Sequence, residues 1–171
     1  MRESRSLREG AAPSDALVSV ERVTVGPEII DVTLRAVRPD GVLLRTSSAI
    51  AGRAIALLPG LAEHACLNDA DLSLADELAD TEVPHLFEHL VLELMAEAGS
   101  ARSLRGSTAW DFAADGRGVY HVSLEYDDDL VCLGAIKCAG AILGHLLQEE
   151  ECPEAGEQVA WLRGLRRLPA G

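Results

Sequence analysis

Residues 119–126 read VYHVSLEY, and their clean alternation constrains the fold more than any other stretch. Successive side chains of a strand point to opposite faces. Tyr120, Val122, Leu124 and Tyr126 therefore share one face, and His121, Ser123 and Glu125 share the other. The apolar set is the natural core face, so this strand belongs to a sheet with one side to cover. Asp127, Asp128 and Asp129 follow and can cap a long helix over about 130–148, rich in Ala, Gly and Leu. Its small residues suit close packing against the sheet.

Upstream, LVSVERVTV at 17–25 alternates and is rich in valine, which predicts a strand ended by Gly26-Pro27. EIIDVTLRAVR at 28–38 reads as a second extended segment. Pro39-Asp40-Gly41 is a turn, and VLLRT at 42–46 is predicted to return as a hairpin partner. Ser47 or Ser48 can cap a helix to about Leu58, stopped by Pro59-Gly60. Residues 61–80 read as an acidic connector with one short helix, and 100–117 as loop. A helix is predicted from Asp80 or Thr81 to about Ala98, with Pro84 in its first turn and Gly99 at its end. After Pro153, residues 156–168 predict a short amphipathic helix carrying Trp161, Arg163, Arg166 and Arg167. The fold expected is α+β: a mostly antiparallel sheet with helices packed on one face. Residues 1–15 are expected to be a disordered tail, 16–150 the domain, and 151–171 a helical tail.

A hydrophobic content of 48% in 171 residues supports a globular domain with a real core. Aromatics make up only 4%, so that core must be aliphatic. No apolar run approaches the roughly 20 residues that span a bilayer. The N-terminus has no apolar signal region, and the four cysteines lack C-x-x-C spacing. Reduced thiols and a cytoplasmic location are expected. A net charge of -13 argues against nucleic acid as a partner. Between Arg53 and Arg102 there is no Lys or Arg, yet the stretch holds Glu63, Asp69, Asp71, Asp76, Glu77, Asp80, Glu82, Glu88, Glu93 and Glu97. Such a segment favours cationic ligands or a metal ion; a merely solvated acidic surface is the plainer reading.

Within TEVPHLFEHLVLELM at 81–95 lies His85-Leu86-Phe87-Glu88-His89, an H-x-x-E-H string. At about 100° per residue these three polar side chains fall within one arc of a helix. Histidines at i and i+4 can converge on one ion, and Glu88 can reach the water beside it. The plainer reading is two surface histidines paired with a glutamate. Zinc needs a third protein ligand. Glu125 is the candidate, with His121 as alternative ligand or as donor to a reacting carbonyl. Glu93, a turn beyond His89, is expected behind the ligands, orienting His89 through its distal nitrogen. His64 and Cys66 form an H-x-C pair; alone it reads as a buried histidine beside a core cysteine, and His64 joins Glu93 as a candidate behind the ligands. Arg105 is the candidate cation for an oxyanion. His145 has no evident partner. G-x-S-x-G and the nucleotide-binding glycine patterns are absent. The WLRGLRRL tail reads as a docked helix rather than a membrane anchor.

Several blocks together resemble the N-terminal domain of cyanophycin synthetase. They are LPGLAEHAC at 58–66, T-x-x-P-H-x-x-E-H-L-x-L-E-L at 81–94, Ala98-Gly99, VYHVSLEYDD at 119–128 and, more loosely, ERVTVGPEI at 21–29. The resemblance covers about residues 20–147. It implies a domain that precedes two ATP-dependent ligase domains and binds a polymer with a poly-aspartate backbone and arginine side chains. In some members the domain resembles a zinc metallopeptidase that cuts that polymer, and its motif maps onto His85, Glu88 and His89. The ligase regions do not follow residue 150, so synthesis is not expected of this chain. The family's glycine-rich block is replaced by ADLSLADELAD, and its arginine-bearing segment survives roughly as Arg105-Gly106-Ser107-Thr108. The function expected is a zinc-dependent hydrolase of peptide or isopeptide bonds, such as those of cyanophycin or another arginine-rich polymer, with a metal-activated water and Glu88 as general base. The alternative is a non-catalytic polymer- or peptide-binding module. Neither nucleic acid nor membrane is an expected partner, and a homo-oligomer is left open.

Overall fold

A computed structural model of the chain describes residues 16–66 and 72–166. The predicted tail at 1–15, Asp69, Asp71 and Arg167 lie outside the described residues. Strands β1 (Val18–Val25), β2 (Ile29–Ala36), β3 (Gly106–Ala109) and β4 (Val119–Glu125) form one antiparallel sheet in the order β1-β2-β4-β3. The helices are α1 (Ser48–Leu57), α2 (Leu74–Glu77), α3 (Val83–Glu97), α4 (Phe112–Asp115), α5 (Asp129–Leu147) and α6 (Ala155–Leu165), with a 3-10 turn at Pro59–Glu63. The architecture is α+β.

The alternation of β4 is realised. Tyr120, Val122 and Leu124 are buried, as are Ile30, Val32, Leu34 and Ala36 of β2, which face the same way through the register Leu34↔Tyr120, Val32↔Val122 and Ile30↔Leu124. Helices α3 and α5 pack on this face and on each other. The opposite face is polar: Ser123 donates to Asp31, and His121 pairs with Asp115.

Helix boundaries follow local chemistry. The Ser47 hydroxyl accepts from the Ile50 N–H and caps α1, and Asp128 caps α5 through the Val131 N–H. Pro84 sits in the first turn of α3, and Gly99 follows its end at φ 101°, a conformation glycine adopts without strain. The N-cap of α3, however, is Glu82, with no side-chain capping bond, rather than Asp80 or Thr81. Thr81 is drawn off to a histidine one turn along.

Three expectations need correction. VLLRT does not return as a hairpin strand; it makes isolated bridges, Val37↔Leu43 and Arg45↔Glu82. The segment peels away to meet the start of α3, where Thr46 N–H donates to Thr81 C=O and Val83 N–H to Leu44 C=O. Residues 106–109 are strand rather than loop; GSTA lacks an apolar alternation because the strand is short and at the sheet edge. Helix α5 has the length and composition of a membrane span, against the expectation that no apolar run comes near it. Here it is the core helix, with 56% of its apolar window buried against α3, α1, α6 and β1.

Candidate metal centre

Helix α3 buries charge. Glu88, His89 and Glu93 are all at most 5% exposed. Burying such groups is costly unless each finds a partner, and each does.

The first line of partners begins outside the helix. The Arg102 guanidinium donates to Glu93 at 3.1 Å. Burial raises the Glu93 pKa, but the hydrogen bonds from His64 and Arg102 outweigh it, so the carboxyl stays below its usual range. Glu93 Oε2 lies 2.6 Å from His64 Nε2, and His64 Nδ1 lies 3.0 Å from His89 Nδ1. With every imidazole neutral, one proton arrangement satisfies this line. His64 Nε2–H donates to Glu93, which leaves His64 Nδ1 as acceptor for His89 Nδ1–H. His89 Nε2 is then a bare lone pair.

A second line fixes His85. Thr81 Oγ1 donates to Glu82 and lies 3.1 Å from His85 Nδ1, so it accepts the Nδ1–H. His85 Nε2 is then bare as well. The two bare nitrogens face each other at 3.1 Å. Facing lone pairs repel unless a cation lies between them. Burial first, then His85 and His64, push the His89 pKa down to about 3, so His89 itself does not carry a proton there at neutral pH.

Cys66 supplies the third atom. Its Sγ is 3.4 Å from His85 Nε2, and the donor atoms of Cys66, His85 and His89 all lie within 4.8 Å of one another. Tetrahedral zinc with bonds of about 2.0–2.3 Å to nitrogen and sulfur separates its ligands by about 3.3–3.6 Å. The donor types suit zinc, and two of the three separations, 3.1 and 3.4 Å, lie close to these values, with the third within 4.8 Å. Burial and the nearby Glu77 carboxylate raise the Cys66 pKa to about 12, so metal binding would have to displace the thiol proton.

Glu88 projects beside the cluster toward the sheet. Thr108 on β3 donates to its Oε2 at 2.6 Å. Gly106 leaves room for it: a Cβ there would stand 2.7 Å from Glu88 Cγ. Burial raises the Glu88 pKa, opposed by Thr108 and His85.

A family model described as the cyanophycin synthase-like N-terminal domain matches residues 43–148, more than half of the chain. The chain belongs to that family. No curated protein matches it.

The matched span of this cyanophycin synthase-like domain contains every residue of the centre. Two expected site residues are not brought there. Glu125 and His121 lie on the polar face of the sheet, away from α3. The Glu125 carboxylate accepts from the Arg105 N–H, and His121 meets Asp115 at 2.9 Å. The physical reason is strand parity: α3 covers the apolar face, so alternate residues of β4 point the other way. Arg105 is exposed at the head of β3. His64 and Glu93 stand behind His89 in series, with Glu93 reaching it through His64. Cys66, set aside as a core cysteine, and Thr81, Thr108 and Glu77 carried too little local signal to be named as site residues. The H-x-C spacing beside an H-x-x-E-H motif was the one available hint of Cys66.

Proposed function

We propose that this domain is a zinc-dependent hydrolase of peptide or isopeptide bonds, acting on cyanophycin or another arginine-rich polymer. The observation that carries the reading is the convergence of Cys66 Sγ, His85 Nε2 and His89 Nε2, with Glu88 alongside. His85, His89 and Cys66 would hold the ion, three protein ligands being the pattern of catalytic zinc. Bound there, zinc supplies Lewis acidity toward water and a carbonyl oxygen.

The rest falls to the chain. Glu88 accepts a proton from the attacking water as the new C–O bond forms, and returns it to the leaving amine as the C–N bond breaks. Its raised pKa suits both halves of that transfer. Thr108 holds the carboxylate in place, whereas Arg105, opposite Glu125 in the register, shares the sheet's other face and is not placed to reach the carbonyl oxygen. The acidic stretch ahead of Arg102 and the family membership support an arginine-rich substrate.

One observation favours a second reading. The His85 side chain is only 14% exposed, and His89 is more buried still. In that reading the metal only ties the 58–66 segment to α3, and the domain binds peptide without cutting it. Metal analysis and peptide-release assays on untagged Glu88→Gln protein separate the two. The hydrolase reading expects zinc near one per chain and release lost. Release unchanged by Glu88→Gln sinks the general-base mechanism, and wild-type protein that holds zinc without any release supports the binding module.

A further inference from the structure

The sheet has two edges, and among the described residues they are protected differently. Strand β1 carries the usual defences against pairing with another chain: a bulge between Val20 and Arg22, and charge from Glu21, Arg22 and the Glu21–Arg35 ion pair at 2.5 Å. Strand β3, GSTA, has no charge, no proline and no bulge in its pairing with β4. Apart from its four-residue length, this edge carries no such defence.

Its backbone is set for pairing. Glu125 N–H donates to Arg105 C=O, and the register runs Gly106↔Leu124, Ser107↔Ser123, Thr108↔Val122, Ala109↔His121. By antiparallel alternation Ser107 and Ala109 bond to β4, while the N–H and C=O of Gly106 and Thr108 turn to the open side. No backbone partner for them lies there among the described residues. The same two residues are the ones that touch Glu88: Thr108 through its hydroxyl, Gly106 through its missing side chain. At the end of the strand Trp110 is 46% exposed, its ring 5.5 Å from that of buried Tyr120.

We infer that β3 is the substrate-docking strand: an extended peptide pairs with Gly106 and Thr108 as a fifth strand, laying its backbone past Glu88 and the metal ligands. This rests on the hydrolase reading for its direction, because the occupant is the substrate chain itself. Main-chain bonds would give affinity without regard to sequence, and alternate side chains of the peptide would face the α3 side. Trp110 offers a flat apolar surface to a side chain at one end.

The test uses Glu88→Gln protein incubated with excess zinc, in which turnover is expected to be about 10²–10⁴-fold slower, and a blocked ten-residue peptide of alternating arginine and alanine. Amide exchange is read by NMR with and without saturating peptide. Exchange at Gly106 and Thr108 is expected to slow by about tenfold or more, with Ser107 and Ala109 unchanged. Peptides N-methylated at single positions are expected to bind about tenfold more weakly at every second position and normally at those between. Absence of binding, unprotected Gly106 and Thr108, or indifference to methylation at every position overturns the docking. Zinc content measured on the same samples keeps the two claims apart. Protection in protein that takes up no zinc retains the docking and removes the metal reading, whereas bound zinc without protection does the reverse.

Discussion

Helices α3 and α5 are the two long helices of the core, and they are buried to different ends. Helix α5 hides Val131, Ile136, Ile142, Leu143 and Leu146 with alanines and cysteines, and no charged side chain. Helix α3 hides eight apolar residues, with Glu88, His89 and Glu93 among them. Aliphatic burial stabilises by about 25 cal/mol per Å² and asks for no partner. A buried carboxylate or imidazole needs one, and α3 draws Thr108, His64, Arg102 and Thr81 from four other segments to provide it. Replacing such groups with apolar residues is often neutral for stability. The contrast teaches that α5 is built for the fold and α3 for a site.

The sharpest way to break this contrast is chemical. Glu88→Gln is expected to lower peptide release by about 10²–10⁴-fold with zinc retained, measured by product release beside metal analysis. Next is Ile142→Ala in α5, expected to cost about 2–5 kcal/mol in urea denaturation and to leave zinc stoichiometry at saturation intact. An Ile142 change that abolished zinc binding in folded protein would erase the distinction between the helices. His64→Ala, behind His89, is expected to weaken zinc binding by about 10–100-fold, read by competition with a chelator. Gly106→Ala is expected to cost about 1–3 kcal/mol, because the added methyl meets the Glu88 side chain. Normal stability and activity in that variant would mean Glu88 is not held where we place it.

The smallest effect is in pH. His89 stays neutral in the folded apoprotein down to about 3, held there by burial and by His85 and His64. Below about 6.5 the unfolded chain takes up a proton there that the folded chain does not. Stability should therefore fall as pH drops through that window, by at most about 1.4 kcal/mol per unit from this residue. Metal-free wild-type and His89→Leu proteins, unfolded at pH 7 and pH 5, check it: the wild type should lose more.

Much of the fold was legible in particular residues. Alternation placed β4 and its core face, valine-rich alternation placed β1, and caps such as Ser47 and Asp128 placed helix starts. Strand β3 was not legible, because Gly106, Ser107, Thr108 and Ala109 are small for the sake of Glu88 and the open edge, and neither leaves a periodic pattern. The segment 42–46 was misread because its partner is the chain before α3, 35 residues further on for Thr46 and Thr81.

The site divides in the same way. Sequence alone determined that His85, Glu88 and His89 share one arc of a helix, since that needs only the 3.6-residue turn. It also determined that Glu125 and His121 lie opposite the apolar face of β4, since that needs only strand parity. Tertiary structure decided which face α3 would cover, and so removed Glu125 from the ligands. It also brought Cys66 to His85, His64 to His89 and Thr108 to Glu88. Those contacts join residues 19 to 25 positions apart, and no local periodicity reaches that far. They exist because the buried polar groups of one helix had to find partners wherever the packed chain could supply them.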